Sequence, residues 1–195
     1  MKKKALAIIT CDRPDFLKKC VASIPENIDV IIINDGDPVS SSFPIIQTNR
    51  IGVGAAKNKA LSYFYNKGID HIFVMEEDIL IKDPDVFDAY IKAAEKNNIK
   101  HLNFGLSSRK NPLLKTENGL NLYKNPYAGF SYFHRSVIDE VGLFDERFYN
   151  SLEHIDYTLR ITLKELHTPL PYYADIEHNH LYLSNIVAFL NISSN

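Results

Sequence analysis

The chain has 195 residues, and its 22 lysines and arginines nearly balance 24 aspartates and glutamates, for a formal net charge of −2. A length of this order fits one domain that buries roughly 70% of its unfolded surface and needs no disulfide staple. The near-neutral balance gives no overall field for nucleic acid or for an acidic membrane, and no run approaches the ~18 apolar residues of a membrane span.

Residues 1–10 imitate a secretion signal, but the apolar core from Ala5 to Ile9 is too short and Cys11-Asp-Arg-Pro14 follows at once. The stretch from residue 4 to Thr10 reads instead as a first, buried strand. Cys11 and Cys20 form no Cys-x-x-Cys pair and are expected as free thiols in a reducing, cytoplasmic setting. Without a signal peptide, the glycosylation acceptor Asn191-Ile-Ser193 carries no weight. Pro14 suits the first turn of a helix, with Phe16, Leu17, Cys20, Val21 and Ile24 at helical spacing and Pro25 as its stop. Val30 to Ile33 is a second apolar strand ending in Asn34-Asp-Gly-Asp37, and Ile45-Ile46 a short edge strand. After the loop Asn49-Arg-Ile-Gly-Val-Gly54, a helix runs from Ala55 to Asn66.

Ile72 to Met75 is a central strand, followed at once by Glu76, Glu77 and Asp78 and then by Ile79-Leu-Ile81. Acids crowded together between apolar residues repel one another and lose water unless a cation joins them. At the carboxyl end of a strand this is where an α/β sheet places a ligand, and hard oxygen donors suit Mg2+ or Mn2+. A solvated acidic turn is the plainer reading. A helix then begins near Asp83-Pro-Asp85 and runs to about Asn97, with a strand over His101 to Phe104. Residues 105–128 read as a long loop or hairpin beside the site. Ala128 to His134 is strand-like, Ser136 to Val141 a short helix, and Gly142 to Phe148 a turn. Leu152, Ile155, Leu159 and Leu163 form an apolar helical stripe, with Glu153, Asp156 and Arg160 on the other side. Pro169 and Pro171 end that helix; Tyr172 to Ile176 is a strand, and His178 and His180 alternate on a strand-like continuation and face the same way. The strand–loop–helix alternation implies an α/β fold with a mostly parallel, Rossmann-like sheet and helices on both faces.

Four groups taken in order resemble the GT-A glycosyltransferases, and among them the large inverting family 2 of bacterial polysaccharide enzymes. They are Thr10-Cys-Asp-Arg-Pro14, Ile33-Asn-Asp-Gly36, Asn49-Arg-Ile-Gly52 with Ala55-Ala-Lys-Asn58, and Glu76-Glu-Asp78 where that family has Asp-x-Asp. Gly142-Leu-Phe-Asp-Glu146 and Glu153-His-Ile-Asp156 with Arg160 look like its later segments. The resemblance implies a single GT-A domain over residues 1–195, with a nucleotide-sugar-binding half over about 1–104 and an acceptor-side half over about 105–195. It implies a metal-dependent, inverting transfer from a UDP-linked sugar to a hydroxyl of a saccharide or glycoconjugate. Thr10, Arg13, Asp35, Asn49, Gly52, Lys57, Glu76 and Glu77 would then hold the donor, Asp35 at the uracil edge and Lys57 at a phosphate. Asp78 with His178 or His180 would hold Mn2+ or Mg2+.

The family's base is usually the second acid of Glu-Asp, and here His154 stands in that place. Glu153, His154 and Asp156 are therefore all candidates for the base that takes the acceptor proton, with a carboxylate, Asp156 or Glu153, favoured as the family's usual choice. Each has a structural alternative. Asp35 suits a turn, Asn150-Ser-Leu-Glu153 looks like a capping box, and Asp156 with Arg160 could be a plain ion pair. The rival functions are a sugar-phosphate nucleotidyltransferase, whose glycine-rich first loop is missing between Thr10 and Pro14, a metal-dependent hydrolase, and a non-catalytic nucleotide-sugar-binding module.

Overall fold

In the computed structural model, which describes residues 3–105 and 111–186, strand β1 (Lys4–Thr10) lies inside a six-stranded sheet. Its side chains divide alternately between two cores: Leu6 and Ile8 join one, Ala5, Ala7 and Ile9 the other. A strand covered on both faces needs a continuous apolar run, and Ala5 to Ile9 supplies it. The chain passes through helix α1 (Pro14–Ala22), with Pro14 in its first turn, to β2 (Asp29–Asn34), parallel to β1, and on to β3 (Ile45–Gln47) at the sheet edge. Helix α2 (Val53–Asn66) carries it back to β4 (His71–Glu76), parallel to β1 on the opposite side. The reversal between β1 and β4 is a topological switch point, where carboxyl strand ends part and leave a crevice.

A tight turn after β4 leads to β5 (Ile79–Ile81), helix α3 (Val86–Lys96) and β6 (His101–Asn103). The hairpin β7 (Leu113–Glu117) and β8 (Leu120–Tyr123) precedes β9 (Phe130–His134), α4 (Ser136–Val141) and α5 (Glu153–Leu163). Strand β10 (Tyr173–Ile176), a single 3-10 turn (Asn179–Leu181) and β11 (Leu183–Asn185) follow. Strand β9 slots between β4 and β6, antiparallel to both, so the order is β3-β2-β1-β4-β9-β6 and five of the six strands run the same way. Helices α1 and α3 and the small sheet β10-β8-β7 cover one face around Phe73, Phe87, Tyr90 and Phe130. Helices α2, α4 and α5 cover the other around Phe64, Ile72, Phe133 and Tyr157. No helix among the described residues is long and apolar enough to cross a membrane.

Three expectations give way. The helix after residue 152 buries the face opposite the predicted stripe: Glu153, Tyr157, Thr158, Ile161 and Thr162 point inward, while Leu152 and Leu163 are 52% and 69% exposed. Polar inward groups find partners, Tyr157 donating to Gly142 O at 2.6 Å and Thr158 meeting Asn103 and His101, so hydropathy alone picks the wrong side. The 105–128 segment contains the expected hairpin, but it pairs with β10 rather than flanking the cleft; of the segment's described residues only Tyr127 and Ala128 reach the cleft. His178 has φ 62° and introduces the 3-10 turn, so His178 and His180 do not alternate on a strand. Residues 106–110 of that segment and the Asn191 acceptor lie outside the described residues.

The small sheet is tied to the main one through Asp175, fully buried on β10. It accepts from Tyr90 OH, from Gly105 N at 2.6 Å, from Asn179 Nδ2 and from Ile176 N at 2.7 Å. Burial pushes its carboxyl up to about 7, against the pull of these four donors. Between about 4 and about 7 the folded chain therefore keeps a proton that the unfolded chain, at 3.8, has lost, and stability falls as pH rises through that window. Denaturant unfolding of Asp175→Asn across this range should show a shallower fall than the wild type.

Candidate active-site cleft

The carboxyl ends of β1, β2 and β4 open on a cleft of about 580 Å3. Thr10 ends β1, Asp35 follows β2, and Glu76 and Glu77 close β4; all four line the cleft. Arg13 joins them from the start of α1, Gly52 from the start of α2, and Glu153 and His154 from the start of α5. Residues scattered over 145 positions of sequence are thus brought to one opening by the switch-point topology.

Beneath the cleft sits an ammonium group. Lys57 on α2 is 2% exposed and donates to Glu76 Oε1 at 3.0 Å and Glu153 Oε1 at 2.8 Å. Burial works against its charge, but the two carboxylates outweigh burial and hold it above the usual lysine value. Burial likewise pushes the Glu153 carboxyl up, yet the His154 ring and the Lys57 ammonium pull it down further, to about 2. Both partners are therefore ionised. This pairing also explains the orientation of α5. Leu152, not Asn150, precedes the helix, with φ 70° and no side-chain cap, so no capping box forms and Glu153 is free to turn inward. Lys57 has no reach into solvent, unlike a phosphate-seeking surface lysine.

The acidic turn is shared out unevenly. Glu77, 3% exposed, accepts from Arg13 Nε at 2.8 Å; burial pushes its carboxyl up against that pull. Asp78, 7% exposed, has only Asn185 Nδ2, at 3.4 Å from Oδ2, and its buried Oδ1 has no hydrogen-bond partner among the described residues. Burial, then the charge of Glu76, pushes its carboxyl up. Asn185 also donates to Tyr127 OH at 2.9 Å, and burial with Asp78 and Glu76 nearby pushes that phenol up to about 12.

The opposite end is a clasped loop. Asp35 uses both oxygens on it, accepting from Thr48 Oγ1 at 2.6 Å, Ile51 N at 2.8 Å and Gly52 N at 2.8 Å. Arg50 pairs with Asp12 and, at 3.1 Å, with Asp37. Gly36 lies so close to this clasp that a Cβ would come within 2.6 Å of Asp12 N, and Gly52, at φ 94°, would meet Tyr149 O at 2.8 Å. Only glycine fits either place. Tyr149 in turn donates to Arg50 O at 2.6 Å and its carbonyl accepts from Val53 N at 2.9 Å.

Other anticipated residues stand apart. Asn49 is exposed and Asp156, outside the cleft, accepts from Arg160 Nε at 2.9 Å, a pair that also ties Arg160 to Val141 O and Leu143 O. His178 lies 3.4 Å from Glu177 with its side chain 63% exposed, and His180 is exposed. Among the described residues no three His, Cys, Asp or Glu side chains gather closely enough to hold a metal ion, so Asp78, His178 and His180 do not form one ligand set. Tyr127, Tyr149 and Asn185 were not anticipated; each acts through a partner distant in sequence. Asn58 was quoted only as part of a motif. It clamps the segment before α5 by accepting from Phe144 N at 2.8 Å and donating to Phe144 O at 3.0 Å.

No protein-family model and no curated protein matches the chain. Solved structures do match in fold. A mannosyltransferase from Pyrobaculum calidifontis, in complex with GDP-Man and Mn2+, aligns with a TM-score of 0.61 at 11% identity over 87% of this chain. This chain spans only 55% of that protein's length. A β-1,4-galactosyltransferase 7 variant from Drosophila, complexed with manganese, UDP-Gal and xylobiose, gives 0.53 at 16% identity over 95% of this chain and 71% of its own. A cytidylyltransferase from Leptospira borgpetersenii gives 0.53 at 9% identity, over 85% and 74%. The chain shares with them the α/β, Rossmann-like GT-A fold.

Removing the central ammonium while leaving its two acids is the severe perturbation here. Lys57→Met should cost about 3–5 kcal/mol in urea unfolding, because it strands buried carboxylates. Adding Glu153→Gln should restore part of that loss, a coupling that a double-mutant cycle reads directly. Asp35→Ala should cost about 1–3 kcal/mol for the donors it strands.

Proposed function

We propose that the cleft binds a nucleotide sugar with a divalent cation and transfers the sugar, with inversion, to a hydroxyl of a saccharide or glycoconjugate. The observation that carries this reading is the buried Oδ1 of Asp78, which has no hydrogen-bond partner among the described residues and follows directly on Glu76 and Glu77, two residues that line the switch-point cleft. A carboxylate oxygen withdrawn from water with nothing to satisfy it is what a cation site leaves when the protein is considered alone. Asp78 would hold Mn2+ or Mg2+, with Glu76 facing the metal or the ribose. Because the chain gathers so few ligands, phosphate oxygens and water would complete the shell, as Mg2+ in particular favours. The ion would offset the charge on the departing diphosphate. The Mn2+ complexes of the two fold neighbours, one with GDP-Man and one with UDP-Gal, support the same reading. UDP is the donor nucleotide proposed here, held in the half before residue 105, while the later half presents the acceptor.

Among the three base candidates His154 is the one left free. Glu153 is tied to Lys57 and held at about 2, too weak a base for a hydroxyl. Asp156 is engaged by Arg160 outside the cleft. His154 lines the cleft with its side chain 21% exposed. Its ring would take the acceptor hydroxyl proton as that oxygen bonds to the anomeric carbon and the bond to the diphosphate breaks. Glu153, ionised beside it, would steady the resulting imidazolium. Thr10, Arg13 and Gly52, which line the cleft, would hold the donor. The cytidylyltransferase likeness keeps nucleotidyl transfer as a second reading, but the first loop, Thr10 to Pro14, has no glycine to wrap a triphosphate.

Thermal shift with UDP, GDP and CDP and their sugar conjugates, in Mn2+ and in EDTA, tests the reading. UDP compounds should raise the melting temperature more in Mn2+, and Asp78→Asn should erase that difference without lowering the melting point of the free protein. Equal shifts in EDTA would remove the cation from the account. With a responding donor in hand, His154→Gln should lower turnover by roughly two to four orders of magnitude at unchanged donor affinity.

A further inference from the structure

Behind His154 lies a second, enclosed space. It measures about 10 Å3, and its polar lining comes from Lys57, His101, Asn103, Ser131, His154 and Thr158. That is about the room one water molecule needs; Val74, Phe133 and Phe144 share the walls, and the polar side chains among them supply partners for one. His154 lines both this chamber and the cleft. Its Nδ1 is buried without a hydrogen-bond partner among the described residues; Glu153 Oε1 is 3.4 Å away and not aligned for one.

The far wall has its hydrogens fixed in series. His101 Nδ1 lies 2.7 Å from Tyr132 O, a carbonyl that can only accept, so Nδ1 carries the proton and Nε2 is a lone pair. Burial, with His167 nearby, keeps His101 well below the usual histidine value and therefore neutral. Thr158 Oγ1, 3.1 Å from His101 Nε2, must then donate to it. Asn103 Nδ2 donates to Thr158 Oγ1 at 3.3 Å. The hydroxyl oxygen retains capacity to accept, and Thr158 and His154 line the same chamber.

We propose that the chamber is a built-in site for one ordered water that accepts the Nδ1 proton of His154 and donates to Thr158, fixing His154 as the Nδ1–H tautomer. Thr158 and Asn103 are then positioning residues: neither touches substrate, and both act by keeping the His154 Nε2 lone pair available to the cleft. The catalytic consequence rests on the reading of His154 as the base, while the water and the tautomer do not.

The test reads the tautomer directly, from ring 15N shifts and couplings in protein labelled at its seven histidines, with His154→Gln assigning the resonance. The wild type should show Nδ1–H. Thr158→Val, which removes the hydroxyl, should shift the ring toward Nε2–H, and Thr158→Ser, which keeps it, should restore the wild-type signal. Ser131→Thr, whose added methyl fills the chamber and leaves Thr158 and Asn103 in place, should repeat the effect of Thr158→Val and carries the test should that variant fail to fold. An unchanged Nδ1–H tautomer in the folded Thr158→Val or Ser131→Thr protein would overturn the proposal and assign the proton to Glu153 alone. In the transfer reaction Thr158→Val should lower kcat roughly ten- to a hundredfold at constant KM. The spectra need no substrate, so absence of sugar transfer would count against the proposed function and leave the chamber standing.

Discussion

A buried positive charge needs its partners in place before the chain can close around it, and Lys57 needs two. Its ammonium joins the end of β4, through Glu76, to the start of α5, through Glu153, the latter 96 positions from Lys57 in sequence. The pair is expensive to desolvate, so its value is in specifying arrangement more than in adding stability. It determines which face of α5 turns inward, and with it the placement of His154 at the cleft. Asn58, the next residue on α2, holds the backbone at Phe144 from both sides and so sets the approach to α5. One turn of one helix thereby positions the wall that faces the strand ends.

Four acids in the cleft or directly beside it, Glu76, Glu77, Asp78 and Glu153, differ in how they are balanced. Glu76 and Glu153 share Lys57, and Glu77 has Arg13. Asp78 has an amide on one oxygen and, among the described residues, no hydrogen-bond partner on the other. The unevenness is more informative than the cluster, because four paired acids would describe a structural network and no ligand. At the other end, the Asp35 oxygens and the Asp12–Arg50–Asp37 clasp organise the loop that precedes α2, and the two glycines there exist to let backbones meet.

The sheet was legible in the sequence because its strands are buried on both faces and so read as unbroken apolar runs, as in Ala5 to Ile9 and Ile72 to Met75. The helices with one apolar face, α1 and α3, were legible for the same reason of patterning. Helix α5 was not: its inward face is Glu153, Tyr157 and Thr158, whose burial depends on Lys57, Gly142 and Asn103, none of them local. His178 and His180 misled because alternation implies a strand only if the backbone is extended, and His178 is left-handed. The ordered set of polar loops did point to the cleft residues Thr10, Arg13, Asp35, Gly52, Glu76, Glu77, Glu153 and His154. It could not tell which of them are spent on holding the protein together, since that depends on hydrogen-bond partners brought near only by the fold.

The account turns on Asp78 being a cation ligand. Crystals soaked with Mn2+ and a nucleoside diphosphate, measured at the manganese absorption edge, would locate the metal without reference to any activity. The account predicts an anomalous peak at the ~2.0–2.2 Å of a hard-cation carboxylate bond from Asp78 Oδ1, bridged to the diphosphate in the cleft. A diphosphate bound in the cleft with Asp78 bare and no peak beside it would contradict the account.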